Sequence, residues 1–199
     1  MDTKVKALPD DADLVEWYYE QGYSDGLPVV PPTPAAIEAM VQALGGDPAL
    51  VECRVAPRWG DLTREVLAIN MVMAGCKPEY APVVRAALLA LAEPAFNLNG
   101  VQATTHMASP LLVVNGPVAS QVGMNGGCNA FGSGNRANAT IGRAIRLVLL
   151  NVGGGWPDVP AGGCVDGRKA RTAIAITPTE ATTAGNHRPN SEAERALSL

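Results

Sequence analysis

Residues 122–151 read VGMNGGCNAFGSGNRANATIGRAIRLVLLN, and the fold turns on how this stretch divides. Its first half is a glycine-rich loop, with Gly123, Gly126, Gly127, Gly132 and Gly134 inside twelve residues. Its second half is the clearest helix in the chain. Ile141, Ala144, Ile145, Val148, Leu149 and Val152 recur at helical spacing and form one apolar stripe. A glycine loop that feeds a helix N-terminus sets free backbone N–H groups beside the positive end of the helix dipole. Such a place suits an anion, a developing negative charge or a thiolate, and Cys128 sits within it.

The rest of the composition bounds what this loop can belong to. A chain of 199 residues fits one domain, or one domain with arms. Hydrophobic residues make up 47%, enough for a core, but aromatics are only 5%, so that core is aliphatic. The net charge of −4 argues against nonspecific nucleic-acid binding. No apolar run reaches the ~18 residues of a membrane span. The first residues, MDTKVKALPDDADLVEW, are charged and lack the apolar region of a secretory signal. Cys53, Cys76, Cys128 and Cys164 lie far apart, with neither a CxxC pair nor zinc-site spacing. The expectation is reduced thiols in a cytoplasmic protein, without a metal or a cofactor. The 21 glycines and 16 prolines exceed ordinary usage and point to many tight turns.

Outward from the central stretch, residues 1–12 read as an arm, 13–177 as one domain and 178–199 as a polar tail. Asp11 or Asp13 is placed to cap a first helix carrying Leu14, Trp17 and Tyr18, ended by Gly22. YSDGLPVVPPTP (23–34) follows, a turn and a proline-stiffened segment that is either a packed connector or a pocket wall. Thr33 with Pro34 begins a second helix, which Gly45-Gly46 stops. Val51 to Val55 alternates as a short strand. Asp61 is expected to cap a third helix, and a fourth starts near Pro78 and closes at Pro94. Val101–Thr105 and Leu111–Asn115 are candidate strands, the second of them buried, and Ala170–Thr177 is another. The crossover from 111–115 through the helix to 170–177 is long enough for parallel pairing. The fold class expected is α/β (or α+β), with helices packed on a small mixed sheet.

Candidate chemistry centres on few residues. Cys128 is a nucleophile or redox thiol if the loop and Arg136 favour its thiolate; otherwise it is a small filler of a tight loop. His106, in QATTHMASP, is the obvious acid–base group or else a hydrogen-bonded histidine at a strand edge, since the other histidine, His187, lies in the polar tail. Arg136 and Arg143 are seven apart and could clamp a carboxylate or phosphate, or simply face solvent or a neighbouring subunit. Asn115, Asn129 and Asn138 offer amides to a ligand or to turns. Asp25 completes the candidate substrate-binding set from the SDGLP turn. Gly132 to Ala137 fits GxGxxA, but no strand directly precedes it, and no Gly-Lys-Ser/Thr follows; both nucleotide-loop readings fail.

Three segments, GYSDGLPVVPPT, QATTHMASPLLVVNGP and NAFGSGNRANATIGRAIRLVLLNVGG, resemble a bacterial family known as the UGSC (seleno)protein family. The resemblance runs from about Asp13 to Gly155; beyond Gly155 the chain departs from the pattern. The family is named for a selenocysteine- or cysteine-Gly-Ser-Cys motif in an associated domain, and no Cys-Gly-Ser-Cys occurs here. The resemblance therefore implies thiol or selenol chemistry in which this chain is the domain or subunit lacking the motif. The leading expectation is an enzyme or enzyme subunit acting on a small polar or sulfur-containing organic molecule. Its reaction would be a lyase-type cleavage of a carbon–sulfur or carbon–heteroatom bond. The alternatives are a noncatalytic subunit of a heteromeric redox enzyme and a hydrolase or hydratase using His106. Either a homo-oligomer or a heteromer with a second chain is expected, with no nucleic-acid or membrane partner.

Overall fold

The computed structural model describes residues 13–104, 108–156 and the backbone of 174–176. The arm, the tail, His106, Cys164 and most of the last expected strand lie outside these residues. The described chain is a mixed α/β fold in which the central helix of the quoted stretch has the highest share of the core.

The helix starts follow local capping chemistry. Asp13 accepts from Val15 N at 2.9 Å and opens α1 (Leu14–Glu20). Thr33 Oγ1 accepts from Ala36 N at 3.4 Å and opens α2 (Pro34–Ala43), with Pro34 at the position that needs no donor. Next comes an antiparallel hairpin of β1 (Val51–Val55) and β2 (Gly60–Thr63), with Arg54 opposite Asp61 and Val55 opposite Gly60. Asp61 therefore does not cap the third helix. Its segment is zipped onto β1, and Thr63 caps instead, accepting from Val66 N at 3.3 Å. That helix, α3 (Arg64–Ala74), is buried at every residue from Val66 to Ala74. A helix apolar on all sides belongs at the centre. It ends at Gly75, whose φ of 85° is the left-handed C-terminal turn.

After a single 3₁₀ turn at Pro78–Tyr80, α4 (Ala81–Ala92) runs to the Glu93–Pro94 break. Residues 101–103, expected as the start of a strand, instead end a short helix, α5 (Leu98–Ala103). The reason is local. Asn97 sits at φ 54° and its Oδ1 accepts from Gly100 N at 3.2 Å, which nucleates a helical turn. β3 (Leu111–Val113) is shorter than expected and not fully buried, since Leu111 is 56% exposed. α6 (Pro117–Gln121) was not anticipated; its five residues carry little periodic signal. The last two elements are α7 (Arg136–Asn151) and β4 (Ile174–Ile176). β4 pairs with β3 in parallel, Leu111 beside Ile174 and Val113 beside Ile176, as the crossover length predicts.

The core lies between α3 and α7, with α2 against α3 and α4 against both α7 and β1. Leu67, Met71, Ile141, Ile145, Leu147 and Leu149 are at most 1% exposed. Among the described residues, no single helix is long and apolar enough to cross a membrane.

Candidate functional site

The glycine loop is fastened to α7 by asparagine amides. Asn135 caps the helix, accepting from Asn138 N at 2.9 Å, and its own amide donates to Gly123 O at 2.9 Å. Asn138, buried at 7% exposure, is the hub. Its Oδ1 accepts from Asn125 N at 2.9 Å, and its Nδ2 donates to Asn125 O at 2.9 Å and Ala130 O at 3.2 Å. Asn125 in turn donates to Cys128 O at 3.0 Å and accepts from Gly127 N at 2.9 Å. Asn129 sits at φ 63°, donates to Ser133 O at 3.1 Å and lies over Gly132, where any Cβ would collide with its amide. These amides satisfy loop backbone groups that helical or sheet bonding does not reach. Asn115, half-buried after β3, makes no side-chain hydrogen bond among the described residues.

Cys128 is exposed on this fastened loop. The other two described cysteines are placed differently. Cys76 is buried; its Sγ donates to Thr140 O at 3.3 Å, and burial pushes its thiol up to about 12 against smaller opposing pulls from the Thr140 bond and then Arg136. Cys53 is half-buried, and burial, followed by the Glu52 charge, pushes its thiol up as well. Cys128 is the one exposed thiol among the described cysteines.

Arg136 and Arg143 both lie on α7 and both reach backwards to fix the chain. Arg136 donates through Nε (3.0 Å) and Nη2 (2.8 Å) to Gly75 O, a cation at the carbonyl end of α3. Arg143 donates to Pro28 O at 2.6 Å and Leu27 O at 3.1 Å, and pairs with Asp25 Oδ1 at 3.2 Å. Its Nε is buried without an acceptor among the described residues. Asp25 and Arg143, expected near one another, are thus brought together, but as a clamp on the SDGLP turn. Ser24 completes that turn, fully buried and donating to Leu27 O at 2.8 Å. Residues 24–28 are therefore a connector gripped by α7, with Ser24 buried and residues 25–28 exposed. His106 lies outside the described residues.

No group of three or more His, Cys, Asp or Glu side chains converges as a metal site among the described residues. Glu52 is a polar centre that the sequence reading passed over. Its side chain on β1 is 3% exposed and accepts from Arg64 Nε at 2.6 Å and Arg85 Nε at 2.8 Å. Burial pushes its carboxyl up, but the two guanidinium bonds outweigh it and hold the group below the usual range. A lone Glu in an alternating strand reads as an outward residue; only the tertiary approach of α3 and α4 reveals the pairing. No protein-family model, no curated protein and no solved structure matches the chain.

Proposed function

We propose that the protein is an enzyme, or one subunit of an enzyme, that acts on a small polar or sulfur-containing organic molecule through the thiol of Cys128. The observation that carries this reading is the contrast among thiols. Cys128 stands exposed on a loop held by four asparagines, whereas Cys76 is buried and Cys53 half-buried, both pushed towards the neutral thiol. A nucleophile needs access and a fixed position, and the amide staples supply the second. In this reading the Cys128 thiolate attacks an electrophilic carbon of the substrate, the bond from that carbon to a heteroatom breaks, its electron pair leaves with that atom, and His106 supplies the proton. Loss of the proton on the neighbouring carbon then expels the Cys128 thiolate and leaves a C=C bond, so the net change is an elimination. The lyase-type reaction class rests on the resemblance to the UGSC family.

A second reading is favoured by one observation. The polar groups of Arg136, Asn125, Asn129, Asn135 and Asn138 are largely spent on this chain's own backbone. On that reading the fastened loop is presented to a second chain that carries the redox chemistry.

One experiment separates them. The purified chain is incubated with a panel of small polar thioethers and thioesters, and free thiol release is followed. Turnover that Cys128→Ser abolishes is the result expected of the enzyme. Turnover that survives Cys128→Ser but not His106→Ala removes the thiol from the mechanism. Turnover that appears only when a second polypeptide is added favours the subunit.

A further inference from the structure

A cleft of about 310 Å³ opens between the β1–β2 turn and the α4–α5 junction. That is the lower end of the size range of small-molecule sites. Leu91 and Leu98, both nearly buried, provide an apolar floor. Trp59 lines it with a side chain that is 50% exposed. Trp59 also sits at φ 57°, a left-handed conformation that a bulky residue rarely takes and that costs free energy. The chain therefore holds a large apolar ring at a cleft mouth, in an unfavourable backbone state, rather than turning it into the core.

The charges around the cleft decide what it suits. Arg54 lines it, but its Nε is fixed at 3.1 Å from Trp59 O and 3.3 Å from Asp61 Oδ1, so Asp61 offsets its charge. Glu93 lines the opposite wall and has no ion-pair partner among the described residues. Glu93 is also the C-terminal cap of α4, so the negative end of a twelve-residue helix faces the same space. The first turn of α5 borders the cleft too, but that six-residue helix is already capped by Asn97. With Arg54 paired to Asp61, Glu93 is the lining charge left without an ion pair among the described residues, beside an exposed indole, and indole faces attract cations.

We propose that this cleft binds a small organic ammonium ion with an apolar body, held by the Trp59 ring, the Glu93 carboxylate and the carbonyl end of α4. The proposal does not rest on the Cys128 reading. The test titrates the full chain with phenethylammonium and with phenylacetate, which is of similar size and opposite charge, by tryptophan fluorescence and ligand-observed NMR. The ammonium ion binds saturably and at least about tenfold more tightly than the carboxylate. Trp59→Leu weakens it about two- to fivefold, the range of an exposed cation–π contact. Glu93→Gln, at an exposed position that folding does not depend on, weakens it by a similar factor. Arg54→Gln does not weaken it. Equal binding of the two probes, no saturable binding of the ammonium ion, or a preference for phenylacetate that Arg54→Gln removes would each overturn the proposal.

Discussion

Glu52 shows how one side chain can carry a pH signature. Its carboxylate bridges Arg64 on α3 and Arg85 on α4 from inside the hairpin, so three elements share one ionic contact. Because the folded state holds this carboxyl below its unfolded value of ~4.3, its contribution is fully present above that pH. It is lost as pH falls through the lower, folded value. Glu52→Gln leaves two guanidiniums without their counter-charge and is expected to cost about 2–3 kcal/mol near neutral pH. Urea unfolding of both proteins across the acid range checks it: the gap narrows below the ordinary carboxylate range, and a gap independent of pH would refute it. At this scale the sequence was least legible. The amides of Asn129 and Asn138 read equally as ligand donors and as turn formers, and only their partners show that they staple the loop. Arg136 and Arg143 were ambiguous for the same reason, since a guanidinium's partner 61 or 118 residues away leaves no local trace.

At the scale of elements, capping and periodicity were readable and tertiary pairing was not. Asp13, Thr33 with Pro34, and the stripe of α7 announced their helices because each signal is local. Asp61 and Thr63 are two residues apart and both suit a helix cap; the ladder with β1 runs through Thr63, so the helix begins only after it. The run Gly153-Gly154-Gly155 has a similar hidden cause. Arg58 N donates to Gly153 O at 3.0 Å, so the chain leaving α7 lies directly on the hairpin turn. A Cβ at Gly153 would meet Ala56 O at 2.5 Å and Leu149 O at 2.7 Å, both backbone atoms that cannot swing aside. Gly153→Ala is therefore expected to destabilise by about 1–3 kcal/mol in a denaturant melt. Gly123→Ala meets no atom within 4 Å and bears only the strain of its φ of 69°. Equal losses at the two positions would contradict the close packing of the hairpin on α7.

On the scale of the whole molecule, α7 organises both the core and the candidate site. Its apolar face packs on α3 and α4, its arginines hold the 24–28 turn and the end of α3, and its N-terminus anchors the loop that presents Cys128. The fold class followed from the order of helices and strands, and the parallel pairing of β3 with β4 followed from the crossover length. The Trp59 cleft was not legible, because it forms where a turn and a helix end meet, 34 residues apart between Trp59 and Glu93. Selective alkylation tests the proposal that the loop makes Cys128 the reacting thiol. The folded protein is treated with iodoacetamide near neutral pH, and each cysteine peptide is followed by mass spectrometry beside an unstructured cysteine peptide in the same buffer. Cys128 is expected to react faster than the free peptide while Cys53 and Cys76 stay protected until the chain is unfolded. A Cys128 that reacts no faster than the free peptide, or no faster than Cys76, would contradict it.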